Sequence, residues 1–352
     1  MSNDVQAPAA GLAPWPAPPG PADDPSERLA WYAAVARWAP SKHNTQPWRF
    51  VVRNGTAVEV WADPMRMLPL TDPQRRELVI ACGAAVQLIC VAARAVGREP
   101  TVTLLPDASG SLLARVTEAG PHETVGFDLA MLAAVAVRRT DRGPLDATRL
   151  PPALPFRLQT EAALLGTSLR LVIREGDRAT LAHLVERADR LLGQRGVVDR
   201  ELVPWLREPG DHRPDGVPTD HTRGAAASAR AEFVQRDFST PHSRPGHDRL
   251  DPDHPLVAVL CTPEDDVHDW LRAGRALAAV LLESAVEGAA ASYLNQPVEE
   301  PAMRAELRNQ LALPGVPQLV LRIGQGGVVV PTPRRQSDEL TFRDEPAATP
   351  AE

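Results

Sequence analysis

The sequence predicts an α+β protein built from two related halves, and three observations carry that prediction. Short strand-like segments alternate with longer helical patterns: Trp48 to Val52 and Ala57 to Trp61, joined at Asn54-Gly55, precede a helical run from Arg76 to about Val96 and further strands near Thr101 to Leu105 and Leu112 to Val116. An internal repeat sets Cys82-Gly83-Ala84-Ala85 to Ala95-Val96-Gly97 over Ala273-Gly274-Arg275-Ala276 to Val286-Glu287-Gly288, with the glycines of each pair fourteen residues apart. Each half thus holds a small-residue helix able to pack closely against the other. Finally, 352 residues at 43% hydrophobic content suffice for one large or two intimately packed units.

The elements follow in order. Asp24-Pro25-Ser26-Glu27 combines an N-cap acid, proline at the first helical position and Glu at N3, so a helix begins here; Leu29, Tyr32, Val35, Ala36 and Ala39 give it an apolar face and Pro40 ends it. The second half opens with a helical pattern from Leu129 to Arg138, then a strand Ser168 to Ile173 and a helix Arg178 to Leu192. Residues 193–254 are rich in Pro, Gly, His, Arg and Asp, with one short helical pattern at Ala225 to Phe238, and read either as a lid or as a plain surface insertion. Strand Leu256 to Cys261, a helix from Val267 to about Tyr293, a short helix Pro301 to Leu311 and strand Gln318 to Ile323 complete the pattern. The implied organisation is a disordered lead-in over 1–23, halves over 24–125 and 126–340, and a tail over 341–352.

Composition excludes several function classes. A net charge of −7 offers no basic patch for nucleic acid or an anionic membrane. Cys82, Cys90 and Cys261 have no metal-ligand spacing and read as buried reduced thiols. The Pro- and Ala-rich N-terminus has no signal-type apolar core, and the apolar window Leu78 to Ala93 is short for a bilayer, so a soluble, cytoplasmic protein is expected.

The most informative stretch is Ala39-Pro40-Ser41-Lys42-His43-Asn44-Thr45-Gln46-Pro47-Trp48-Arg49-Phe50. Proline near both ends fixes φ and keeps the preceding residues out of helical geometry, so Ser41, Asn44 and Gln46 present hydroxyl and amide groups from a rigid turn. Amides that both donate and accept suit a heterocycle edged with carbonyls and ring nitrogens. Lys42 is adjacent, and His43 is either a proton donor near neutral pH or an ordinary hydrogen-bonded surface histidine.

Four stretches in order, Ala39 to Phe50, Arg138-Arg139-Thr140-Asp141-Arg142, the Gly274 to Glu299 region with Tyr293-Leu294-Asn295-Gln296-Pro297, and Pro331-Thr332-Pro333-Arg334-Arg335, resemble the nitroreductase superfamily of FMN-dependent proteins. The likeness, over residues 26 to 340, is to its Acg-like branch, in which one polypeptide imitates the usual homodimer. It implies two fused half-units with mainly antiparallel sheets. It also implies that Arg138, Thr140 and Arg142, in a pentapeptide at the start of a helix, hold the flavin phosphate and ribityl chain, with Arg334 and Arg335 closing over the phosphate. By composition alone those arginines read as a solvated charge cluster, and only the resemblance reverses that reading. Ser41, Asn44 and Gln46 become flavin contacts, and Tyr293, Leu294, Asn295 and Gln296 run along the central ring; on their own residues these last read as a helix C-terminus stopped by Pro297.

The polar turn and the arginine pentapeptide each occur once, so one FMN per chain is expected, and a monomer is plausible because the chain supplies its own pseudo-dimer interface. The implied activity is hydride transfer from NAD(P)H to flavin N5 and on to a small electron-poor acceptor such as a nitroaromatic or quinone. The alternatives are FMN storage under a lid, or a specialised flavin-dependent dehydrogenase. No Ser-His-Asp or metal-ligand constellation points elsewhere, and no side chain is required as a catalytic acid or base.

Overall fold

Helix α1, Pro25–Ala36, starts where its capping signal places it: the Asp24 carboxylate accepts from the Ser26 N–H at 3.1 Å. The computed structural model describes residues 17–20, 23–107, 110–196, 198–219, 232–234, 236, 254–327, 329 and 331–343. Most of the helical pattern at 225–238 and most of the 1–23 segment lie outside the described residues; 232–234 and 236, which are described, are not helical. Strands β1 (Trp48–Arg53) and β2 (Ala57–Ala62) form the expected hairpin, with Asn54 and Gly55 both at positive φ, 42° and 68°, as a tight primed turn demands.

Helix α2 (Arg76–Ala95) is followed by the antiparallel pair β3 (Arg98–Leu104) and β4 (Leu112–Pro121). Helix α3 (Gly126–Val137) begins the second half, and α4 (Leu154–Leu164) is an element that sequence patterning did not indicate. After β5 (Ser168–Leu171) and α5 (Glu175–Gln194), the 193–254 excursion contains the short parallel pair β6 (Leu206–Arg207) and β7 (Val217–Pro218). Strand β8 (Leu256–Thr262) leads to α6 (Val267–Val286), which ends seven residues before Tyr293, earlier than its pattern suggests. Gly288 at φ 71° turns the chain into β9 (Ala290–Tyr293), because the residues after Val286 extend the sheet rather than the helix. Helices α7 (Gln296–Glu299) and α8 (Pro301–Gln310), strand β10 (Val316–Gly324), helix α9 (Ser337–Leu340) and strand β11 (Thr341–Arg343) follow.

The larger sheet runs β11-β1-β2-β4-β3 and the smaller β5-β8-β10-β9, antiparallel except where β11 joins β1. Residues 341–343 are therefore not a loose tail. They add an edge strand to the larger sheet, Phe50 pairing with Thr341, so the C-terminal segment is tied to β1. In β8, Ala258 and Leu260 face the main core while Val257, Val259 and Cys261 face a second cluster beneath α5 and α8. Burial on both faces explains why that strand reads as an unbroken apolar run.

Helices α2 and α6 cross at the heart of the main core. A Cβ added to Gly274 would lie 1.9 Å from the Ile80 carbonyl oxygen, and one on Gly83 2.3 Å from that of Leu271. The repeat's first glycines are thus the positions where the two backbones touch, a contact no side chain would permit. At 20 residues α2 is, among the described residues, the one helix long and apolar enough to cross a membrane, but it lies buried in this core.

Candidate functional site

The turn after α1 is strained. His43, Asn44 and Gln46 all take positive φ, 51°, 55° and 51°, a concentration that L residues adopt only when the surroundings impose it. The Ser41 hydroxyl oxygen accepts from the Gln46 N–H at 2.9 Å and braces the turn. Asn44 Nδ2 donates to the carbonyls of Gly216 and Pro333, both at 3.0 Å, and its Oδ1 accepts from Arg334 at 3.0 Å. Gln46 Nε2 donates to the carbonyls of Pro214 and Asn44, at 2.8 and 3.3 Å, while its Oε1 accepts from the Arg335 N–H at 2.8 Å. These amides tie the turn to the 206–218 segment and to the C-terminal segment.

Beside this turn lies a cavity with about 150 Å³ open to the centres of water molecules. Its walls bring together Ser41, His43, Asn44, Arg138, Thr140, Arg142, Tyr293, Asn295, Gln296 and Arg334, ten positions singled out in three separate stretches and the C-terminal segment. Gln46, Leu294 and Arg335 are not on the wall. Gln46 is fully buried by the bonds just given, and Leu294 packs into the second core cluster with its N–H donated to the Val320 carbonyl. Arg335 turns toward Asp63 and Glu339, at 3.9 and 3.5 Å.

One wall is cationic. Arg138 is the C-cap of α3 and the chain then runs extended beside β9, Asp141 donating its N–H to the Ala291 carbonyl at 3.0 Å. The pentapeptide thus closes a helix instead of opening one, since Gly143-Pro144 follows and cannot continue helical structure. Arg138, Arg139, Arg142 and Arg334 all line the cavity. Among the described residues no carboxylate pairs with Arg138, Arg139 or Arg334, and the Nε of Arg138 and of Arg334 is buried without a hydrogen-bond partner. Burial pulls the pKa of Arg138 down and holds Arg139 and Arg142 at about 10. Arg334 is pushed well below its ordinary range, by burial first and then by the charges of Arg138, Arg139 and Arg37. Gathering four guanidiniums, Arg138 buried and the other three half-buried, is unfavourable unless an anion joins them.

The opposite wall is charge-balanced. Lys42 Nζ lies 2.5 Å from Glu77 and 3.2 Å from Glu299, and Arg236 holds Glu299 bidentately at 2.8 and 3.1 Å. Burial alone would raise the Glu299 pKa, but Arg236 and Lys42 outweigh it and hold it at about 2. His43, deep in the same wall, is driven well below the usual histidine range by burial and then by the charges of Lys42 and Arg236. Its surroundings thus favour the neutral imidazole. Asn295 Oδ1 accepts from the Val320 N–H at 3.0 Å, so Tyr293 to Gln296 leads from a strand into a short helix and is not a helix C-terminus.

Sequence reasoning missed Arg139, Glu77, Glu299, Arg236 and Val217 as wall residues. Arg139 was within reach of the same pentapeptide. Glu77 and Glu299 carried no local signal, because their role arises from partners far away in sequence.

No family model matches the chain. An uncharacterized protein of Mycobacterium tuberculosis is 30% identical over 315 residues, 86% of this chain and 89% of the relative. A protein of the same organism named "Putative NAD(P)H nitroreductase" is 31% identical over 322 residues, 90% and 91% of the two chains. Another, with the name "Putative NAD(P)H nitroreductase acg", is 31% identical over 314 residues, 86% and 91%. The mixed fold with antiparallel sheets is compatible with these near full-length relatives, whose identity and coverage show the family. The chain belongs to the nitroreductase family.

Proposed function

We propose that the chain binds one FMN in this cavity and uses it as an NAD(P)H-dependent oxidoreductase acting on small electron-poor acceptors. The observation that carries the reading is the cationic wall: four guanidiniums gathered on one cavity wall, three of them without a carboxylate among the described residues, in a protein whose relatives bear nitroreductase names. A dianionic phosphate fits them, because planar, always-charged forks bind its oxygens bidentately. Arg138, Arg142 and Arg334 would hold the phosphate, Thr140 the ribityl chain, and Tyr293, Asn295 and Gln296 with Ser41 would border the ring. When bound, FMN supplies hydride and electron transfer between NAD(P)H and the acceptor. The chain's own contribution is to bind, to orient and to exclude water.

The contact of α2 with α6 through Gly83 and Gly274 supports the reading of the chain as a pseudo-dimer that needs no second copy. The polar turn and the arginine wall occur once each, which supports a single site. A second reading, sequestration of the flavin, draws on Val217 and Arg236: residues of the 193–254 excursion form part of the cavity wall and would cover a bound ring.

Purified protein should be yellow with about one FMN per chain, and colourless protein that takes up no FMN would remove the reading. Anaerobic NADPH or NADH then separates the two activities. Bleaching supports the reductase, whereas persistent yellow colour supports sequestration.

A further inference from the structure

The arginine wall raises a physical question that its ligand alone does not answer: what keeps the guanidiniums together when like charges, largely out of water, repel. Trp38, between α1 and the polar turn, touches the problem at two points. The Arg334 guanidinium carbon lies 5.6 Å from the Trp38 ring centroid and that of Arg37 lies 5.7 Å from it, both within the range where an indole face attracts a cation. The Trp38 carbonyl accepts from Arg334 Nη2 at 3.4 Å and from Arg138 Nη2 at 3.5 Å. The residue is 8% exposed. Burial first, and then the charges of Arg138, Arg139 and Arg37, disfavour the charged form of Arg334.

We infer that Trp38 is a positioning residue for the anion-binding wall: its ring and its carbonyl hold Arg334 beside Arg138 in the spacing that receives a phosphate. This rests on the FMN reading for the identity of the phosphate, but not for the geometry. Arg334 comes from the C-terminal segment and Arg138 from the end of α3, so without a common partner the two would separate under mutual repulsion. The Trp38 carbonyl is that partner, and the indole face adds a hold on Arg334 without a charge that would neutralise the wall. A carboxylate in its place would pair with the arginines and compete with the incoming anion.

The test is the series Trp38→Tyr, Trp38→Phe and Trp38→Leu, read by flavin-fluorescence titration with FMN and with riboflavin, which lacks the phosphate. FMN affinity should fall along the series as the strength of the aromatic face falls, reaching about tenfold at Leu, about 1.4 kcal/mol, while riboflavin affinity stays level. If the Leu variant does not fold, the order among the three aromatic forms still decides. Inorganic pyrophosphate gives a second readout: it should raise the melting temperature of the wild type and of Trp38→Phe, and raise that of Trp38→Leu much less. Equal losses of FMN and riboflavin, or equal pyrophosphate stabilisation across the series, would overturn the inference. Wild-type protein that is stabilised by pyrophosphate in this graded way but binds neither flavin would support it and instead sink the FMN assignment.

Discussion

Replacing Arg142 by methionine should make the empty protein more stable and the ligand-bound protein less so, and this opposite pair of signs is the sharpest consequence of the cationic wall. Burial lowers the Arg142 pKa from 12.5 to about 10. At about 1.36 kcal/mol per unit, the charged form costs the folded state up to about 3 kcal/mol, less whatever water in the cavity screens. The folded pKa lies below the unfolded one, so this destabilisation is fully present below about pH 10 and is relieved only as pH rises from there toward 12.5. Methionine matches the length of the stem and carries no charge. Removing that burial cost, after screening by cavity water, should raise the ligand-free melting temperature by about 3 °C. The same change removes charge-assisted bonds to the phosphate worth about 1.5 to 3 kcal/mol each, which weakens FMN roughly tenfold to a hundredfold. Thermal unfolding with and without FMN, together with fluorescence titration, measures both quantities on one preparation. A variant that melts lower when empty and binds FMN as tightly as wild type would refute the account of this wall.

Other consequences follow from particular contacts. Gly274→Ala places a methyl group where only 1.9 Å separates it from the Ile80 carbonyl oxygen, so α2 and α6 must part; a loss above about 2 kcal/mol in urea unfolding is expected, against no loss if the contact is slack. Glu299→Gln leaves Lys42 and Arg236 buried without their shared carboxylate and should cost about 3 to 5 kcal/mol at pH 7. Because the Glu299 pKa is depressed to about 2, its contribution is present above about 4.5 and fades as pH falls toward 2, so wild-type and variant melting curves should converge on acidification. His43 should show no imidazole titration by NMR between pH 5 and 8, since burial and the charges of Lys42 and Arg236 keep it neutral; a midpoint near 6.5 would contradict the buried placement.

Local signals in the sequence were read correctly where one short segment contains the whole physical cause. The Asp24 cap, the Asn54-Gly55 turn and the small residues of α2 and α6 each specify their geometry within a few positions, and the structure realises all three. The failures share a different cause. Strand β9 reads as a continuation of α6 because Ala289 to Ser292 is compatible with either state, and only its pairing with β10, through Ile323 and Ala291, decides between them. Strand β11 is three residues long and owes its existence to β1, which lies nearly 300 positions earlier. Helix α4 went unseen because its buried face is only Leu154, Leu158 and Ala162, too sparse to register as a period.

The site divides along the same line. Residue types announced a polar turn and an arginine cluster, and these do converge on one cavity. What could not be read was which groups face the cavity and which build it. Asn44 and Gln46 carry similar amides two positions apart. Asn44 lies on the wall, while Gln46 spends both ends of its amide on Pro214, Asn44 and Arg335. Arg334 and Arg335 are adjacent and identical, yet one joins the cationic wall and the other leaves it for Asp63 and Glu339. For Asn44 and Gln46 the assignment depends on a backbone bent by positive φ at His43, Asn44 and Gln46, and for Arg334 and Arg335 on partners nearly 300 positions earlier; no composition or spacing encodes either. The strain has a consequence of its own. Asn44 and Gln46 hold the turn, the 206–218 segment and the C-terminal segment together, so either amide should matter more to the shape of the cavity than to any direct contact with what fills it.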